Sequence, residues 1–210
     1  MKIILKSLLS IGTLISLHSA AQIMPADRDL AAFSWEISSP ASNDYINKTS
    51  LSGWRFEYRK GINTNLSVGL GLSWSAFDEY VNTKTYSTPG QTKAITTDMI
   101  RQVYTLPITL VAHYYYDTKS KIMQPYAGLG LGTQYAEHKA YLNIYELIET
   151  NWGFTARPEL GALFAFSSHS PMRALLSFGY NYSTNKNEAF NVDNWNHFTV
   201  NIGIGLGNIQ

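Results

Sequence analysis

The stretch His197-Phe198-Thr199-Val200-Asn201-Ile202-Gly203-Ile204-Gly205-Leu206-Gly207 alternates almost without error. Phe198, Val200, Ile202, Ile204 and Leu206 fall on one face. His197, Thr199, Asn201 and three glycines fall on the other. Successive side chains of a strand point to opposite faces of a sheet. This segment is therefore a strand that is apolar on one side and polar or bare on the other.

The same period of two recurs upstream. Strand-like runs lie at about residues 32–39, 51–60, 66–77, 100–116, 124–137, 151–166 and 173–184, so about eight strands are expected. In the third run, Leu66, Val68, Leu70, Leu72, Trp74 and Ala76 oppose Ser67, Gly69, Gly71, Ser73 and Ser75. In the fifth, Ala127, Leu129 and Leu131 oppose Gly128, Gly130 and Gly132. Pro107 cannot donate a ladder hydrogen bond, so a bulge is expected there.

The connectors alternate in length. Residues 40–50, 78–98, 138–150 and 185–196 read as long polar loops, the second with a Pro89-Gly90 turn and the third with one helical turn over 144–148. Residues 61–65, 117–123 and 167–172 read as tight turns. Long loops at one end and short turns at the other, around strands with one apolar face, describe an antiparallel up-and-down barrel standing in a membrane. Trp54, Trp74, Tyr104, Tyr135, Trp152, Tyr182 and Phe198 fall near the long-loop ends. Tyr58, Tyr114, Tyr116, Phe164 and Phe166 fall near the short-turn ends. Two aromatic belts suit a bilayer with two interfaces.

Residues 1–21 read as an export signal. Lys2 and Lys6 precede a short apolar core, and Ser19-Ala20-Ala21 offers the small residues a signal peptidase reads. The apolar run is shorter than the roughly 20 residues a membrane helix needs. Cleavage after Ala21 takes the formal charge from +1 to −1, which gives no general attraction for nucleic acid. The remaining 22–210 form one domain, with residues 22–31 as a lead-in. With no cysteine, there is no disulfide framework, thiolate metal site or lipid-anchored start. The mean hydropathy of −0.14 does not oppose a barrel, because only alternate residues touch lipid.

These strand patterns, most clearly residues 124–132 and 199–207, resemble the small outer-membrane β-barrel proteins: the OmpA transmembrane domain, OmpX and OmpW among the porin-family proteins with an outer-membrane β-barrel domain. The resemblance covers the chain after the signal. It implies an integral protein of the cell outer membrane, surrounded by lipid and lipopolysaccharide, inserted by the barrel-assembly machinery and monomeric. Members often end in an aromatic residue; this sequence ends Asn208-Ile209-Gln210. No additional periplasmic domain is expected.

Charge marks the other face. Glu36, Arg55, Glu57, Arg59, Arg157 and Glu159 all fall away from lipid, and Arg101, His113 and Arg173 are read the same way. An Arg facing lipid at midplane costs about 2–4 kcal/mol. Inside a narrow barrel the same groups can pair as a plug, or re-pair as a gated ion path. An eight-stranded barrel has an interior just wide enough for side chains.

Some barrels similar to this one modify lipid A, which takes a serine activated by histidine and an acid. His113, His138, His169 and His197 are the candidates, yet none shares a strand face with a serine and an acid at matching spacing, and His169 sits in a short turn on the periplasmic side. The histidines show no metal-ligand spacing. The Gly-x-Gly runs open no helix and are not nucleotide loops. No cofactor or metal is expected. The soluble alternative, a lipocalin-like barrel, would point its apolar face inward. The sequence thus favours a non-catalytic envelope barrel whose loops 78–98 and 138–150 serve adhesion or binding. The second reading is a narrow channel or binder of small solutes or hydrophobic compounds, and a lipid A-modifying enzyme is the least favoured.

Overall fold

The computed structural model describes residues 29–41, 45–87, 94–118, 120, 122–142, 145–167 and 170–207. The signal segment, Pro89-Gly90, His169 and residues 208–210 lie outside the described residues.

Eight strands form a closed, all-antiparallel barrel in sequence order. They are β1 (Asp29–Ala41), β2 (Ser52–Gly61), β3 (Leu66–Ser87), β4 (Ala94–Tyr115), β5 (Met123–Leu142), β6 (Tyr145–Ala165), β7 (Met172–Ser183) and β8 (Asn196–Gly207). The quoted stretch is β8, and it closes the ring by pairing with β1 from Leu30↔Gly207 to Ala41↔Asn196. Phe198 is 58 % exposed and Ile204 46 %, whereas Thr199 and Asn201 are buried. The whole barrel repeats this inversion, with Leu70, Leu110, Leu160 and Phe178 outside and Arg, Glu, Ser and Asn within. The lipocalin-like alternative is thereby overturned, because apolar side chains line the outer wall.

The outer wall carries paired aromatics. Trp74 stacks on Tyr104 at 6.0 Å, and Phe33 on Trp54 at 6.4 Å. Tyr135 meets Trp152 at 5.3 Å and Tyr180 meets Phe198 at 5.0 Å, with Tyr114 and Tyr116 grouped at 5.3 Å near the opposite end. At the tight turn after β2, the Asn63 side-chain oxygen accepts from the backbone N–H of Asn65 and Leu66 at 2.9 and 2.8 Å. Asn closes such turns because its short side chain reaches its own backbone two residues on.

Four expectations need correction. Residues 78–87 and 94–98 are not loop: β3 and β4 stay paired out to Ser87↔Ala94. Residues 138–142 and 145–150 likewise continue β5 and β6 out to Leu142↔Tyr145, so 145–148 is strand rather than helical turn. Every residue from 145 to 150 is exposed. With both faces hydrated, such a ribbon has no alternation of hydrophobicity to read. The third correction is at Pro107. Pairing there passes from Leu72↔Ile108 to Ser75↔Thr105 without a change of register, and the bulge falls instead between Val81 and Lys84. Fourth, β1 begins at Asp29, inside the expected lead-in.

Leu160 is 65 % exposed on the outer wall. In phospholipid vesicles, Leu160→Arg should lower unfolding free energy by about 2–4 kcal/mol, read by urea titration of tryptophan fluorescence. A change within about 0.5 kcal/mol, as for an ordinary water-exposed site, would contradict a lipid-facing wall.

Candidate functional site

The interior is layered. At the short-turn end, Leu30, Ala32, Tyr115, Tyr126, Leu163 and Leu175 form an apolar floor. Above it lies a charged layer built by β1, β2, β4 and β6. Arg55, Glu57 and Arg59 alternate on the inner face of β2, which sets one carboxylate between two guanidiniums. Arg55 Nη2 lies 2.6 Å from Glu57 Oε2, and Arg59 Nε lies 2.5 Å from Glu57 Oε1. Across the lumen, Arg55 Nη1 reaches Glu159 Oε2 at 3.0 Å. Arg59 also donates to the hydroxyls of Tyr115 and Tyr126 at 3.2 and 3.1 Å, with its guanidinium over the Tyr126 ring at 4.4 Å.

A second pairing joins β6 to β1. Arg157 Nη2 donates to Glu36 Oε2 at 2.6 Å and to Thr199 Oγ1 at 3.0 Å. Ser75 donates to Glu36 Oε1 at 3.0 Å, and Asn201, with its nitrogen toward Glu36, donates at 3.0 Å. Arg157 Nε lies 3.7 Å from Glu159 Oε2, which links the two pairings. All six expected charges are brought together. Three carboxylates face three guanidiniums, and each is 5 % exposed or less. Buried ions are tolerated only when paired and hydrogen-bonded in this way.

His113 Nε2 lies 2.9 Å from Glu159 Oε1 and 3.2 Å from Glu57 Oε1. These three residues place potential metal-ligand atoms within 4.8 Å of one another, a grouping that strand-by-strand spacing could not reveal. Both carboxylates already contact Arg55 and Arg59. A divalent cation entering there would face two guanidiniums, so the arrangement fits an ion-pair network rather than a metal centre. Gly128 makes room for this layer: a Cβ there would lie 2.5 Å from His113 Cδ2 and 2.9 Å from Glu159 Cγ.

Next comes an amide layer. Asn181 Nδ2 donates to Gln134 Oε1 at 2.6 Å, and Gln134 Nε2 donates to Ser183 Oγ and Asn185 Oδ1, both at 3.1 Å. Thr155 Oγ1 donates to Asn181 Oδ1 at 2.8 Å. At the long-hairpin end, Tyr45, Ile46, Phe77, Val103, Val192 and Trp195 form an apolar lid. Phe77 meets Trp195 edge-on at 5.2 Å, and Tyr45 meets Phe190 at 5.1 Å. The second of the two lid segments turns back through the Asn187↔Val192 bridge, with Asn191 at φ 53°. Sequence reasoning missed this lid. Its available signal was five bulky apolar residues, Tyr45, Ile46, Phe190, Val192 and Trp195, stranded in otherwise largely polar connectors.

Of the remaining candidates, Arg101 lies at the lid, donating to the Tyr45 carbonyl at 2.9 Å, and Arg173 is buried toward the floor end. His138 and His197 pack under the lid, 5.7 Å from Trp195 and 5.5 Å from Phe77. Among the described residues no histidine hydrogen-bonds a serine, so no acyl-transfer triad is assembled there.

The profile of the family described as outer membrane protein beta-barrel domain matches residues 7–207. The crystal structure of Neisserial surface protein A is similar, with a TM-score of 0.52 at 18% identity, covering 85% of this chain and 95% of that one. That of Ail, the attachment invasion locus protein of Yersinia pestis, in complex with the heparin analogue sucrose octasulfate, gives 0.50 at 15%, covering 86% and 98%. At such identities the likeness is one of fold. No curated protein sequence matches significantly.

Arg157→Ala would take from buried Glu36 its direct ion-pair partner, and removing one partner of a buried pair costs about 3–5 kcal/mol. The variant should lose its resistance to detergent at a clearly lower temperature, seen as an earlier gel shift on heating. Glu36→Gln combined with Arg157→Gln removes both charges and should recover most of the loss. An unchanged shift temperature for Arg157→Ala would contradict the plug.

Proposed function

Because the chain belongs to the outer membrane protein β-barrel domain family, we propose that it is a non-catalytic envelope protein that binds partners outside the cell. It is held as a monomer among lipid and lipopolysaccharide and is inserted by the barrel-assembly machinery. Short turns face the periplasm in such barrels and longer extensions face outward. The observation that carries the reading is the outward projection of the β3–β4 and β5–β6 hairpins, paired beyond the aromatic belt to Ser87↔Ala94 and Leu142↔Tyr145.

These hairpins are ordered ribbons rather than slack loops. Tyr80 donates to Asp98 at 3.1 Å, which raises the phenol's pKa, and the hydroxyls of Thr85 and Thr96 pair at 2.9 Å. The β6 arm presents Tyr145, Leu147 and Ile148 to solvent. Tyr145 and Leu147 share one face of that arm and Ile148 takes the other, which leaves apolar surface on both faces for a partner to cover. The described arms carry Asp78, Glu79, Asp98, Glu137, Glu146 and Glu149 against Lys84, Arg101 and Lys139. That excess of acid favours a basic or neutral protein surface and disfavours a sulfated glycan of the kind seen with Ail.

The floor, the paired charges and the lid support a closed lumen, so the channel reading ranks second. In planar bilayers the protein should be electrically silent at neutral pH. Vesicles carrying it should attach to a panel of immobilised extracellular-matrix proteins and not to heparin. A variant with Leu147→Asp and Ile148→Asp should lose most of that attachment while keeping its heat-induced gel shift. Steady conductance, or attachment unchanged in the variant, would count against the proposal.

A further inference from the structure

The outer wall is not uniformly smooth. A groove of about 630 Å³ crosses strands β2 to β5 near the short-turn end. Its floor is small because Val68 and Ala112 are neighbours in register. Leu70, Leu110 and Leu131 form the wall above, themselves linked by register across β3, β4 and β5. Tyr58 and Lys60 close one end and Leu129 the other.

The register sets the direction of this groove. Lys60 pairs with Val68, Val68 with Ala112 and Ala112 with Leu129. Lys60 is one residue from the turn end of β2, whereas Leu129 lies six residues into β5. The row therefore climbs from the periplasmic interface into the apolar band. Three inter-strand steps span about 14 Å along the row; with strands tilted about 35–45° this climbs about 9 Å, which stays within one leaflet of the ~30 Å hydrocarbon core.

The end at the interface carries one exposed ammonium, that of Lys60, with the Asp29 carboxylate on the neighbouring strand. Lys60 is exposed and has no ion pair among the described residues. Its register neighbour Asp29 accepts the Tyr58 hydroxyl at 2.7 Å. A lysine at this depth extends its ammonium toward the headgroups while its stem lies on apolar surface. We infer that the groove holds one acyl chain of an anionic glycerophospholipid of the periplasmic leaflet, with the lipid phosphate against Lys60. The chain lies along Val68 and Ala112, and the headgroup charge selects the lipid.

This site rests on the barrel being embedded in a bilayer, which the heat-induced gel shift reports separately. The protein is reconstituted in nanodiscs of equal phosphatidylglycerol and phosphatidylcholine, released and weighed by native mass spectrometry. Wild type should retain a single lipid, with phosphatidylglycerol favoured about fivefold, the scale of one lysine near an anionic headgroup. Lys60→Gln should bring the ratio close to one, and Ala112→Phe should remove the retained lipid of either kind. Both variants should keep the gel shift. Equal retention of the two lipids by wild type, a preference that survives Lys60→Gln, or retention that survives Ala112→Phe would each overturn the assignment. Loss of the gel shift in wild type would instead overturn the membrane reading beneath it.

Discussion

The β1–β8 ladder, running from Leu30↔Gly207 to Ala41↔Asn196, removes the last open edge of the sheet. In lipid an unpaired backbone N–H or C=O has no water to turn to, so a sheet can span only if it closes. Closure of eight strands then dictates the rest. It leaves an interior just wide enough for side chains. It also sends every second residue outward, so each strand must be apolar on one face only. Gly203 and Gly207 mark close approaches of β8 to β1: a Cβ would meet Phe33 O at 2.2 Å at the first and Asp29 O at 1.9 Å at the second.

The narrow interior explains why the six charges of its central layer come in matched numbers. Glu36, Glu57 and Glu159 balance Arg55, Arg59 and Arg157 across three strands, β1, β2 and β6, and the Arg55–Glu159 and Arg157–Glu36 pairs tie those strands together across the lumen. A hydrophobic filling of the same volume could be equally stable, since desolvation offsets much of an ion pair's gain. What a polar filling adds is contrast between the two faces. Strands with apolar residues on both sides could slip by one residue, whereas burying a charge on the lipid side is too costly to allow it.

Sealing the ends is a separate task, handled by apolar groups. Tyr115 and Tyr126 close the floor while their hydroxyls take up Arg59, so the same rings serve both layers. At the other end the lid folds in from the connectors after β1 and β7. The β3–β4 and β5–β6 hairpins touch the lid near their base, as at Glu79, His138 and Lys139, and continue beyond it as paired ribbons.

The strand pattern of residues 197–207, repeated along the chain, was enough to determine the barrel, its inside-out polarity and the inward set of charges, because period-two burial is a local property. Partnership was not legible. Glu36 and Arg157 are 121 residues apart in sequence, and only the register of β6 through β8 to β1 brings them to 2.6 Å. The convergence of His113 with Glu57 and Glu159 has the same origin. The lid residues Tyr45 and Trp195 were hidden for another reason: a connector folding inward has no periodicity. The ribbon at 145–150 looked like loop because alternation appears only where one face is buried, and there water wets both. Local sequence therefore decided which face each residue takes, while closure of the ring decided which residues meet.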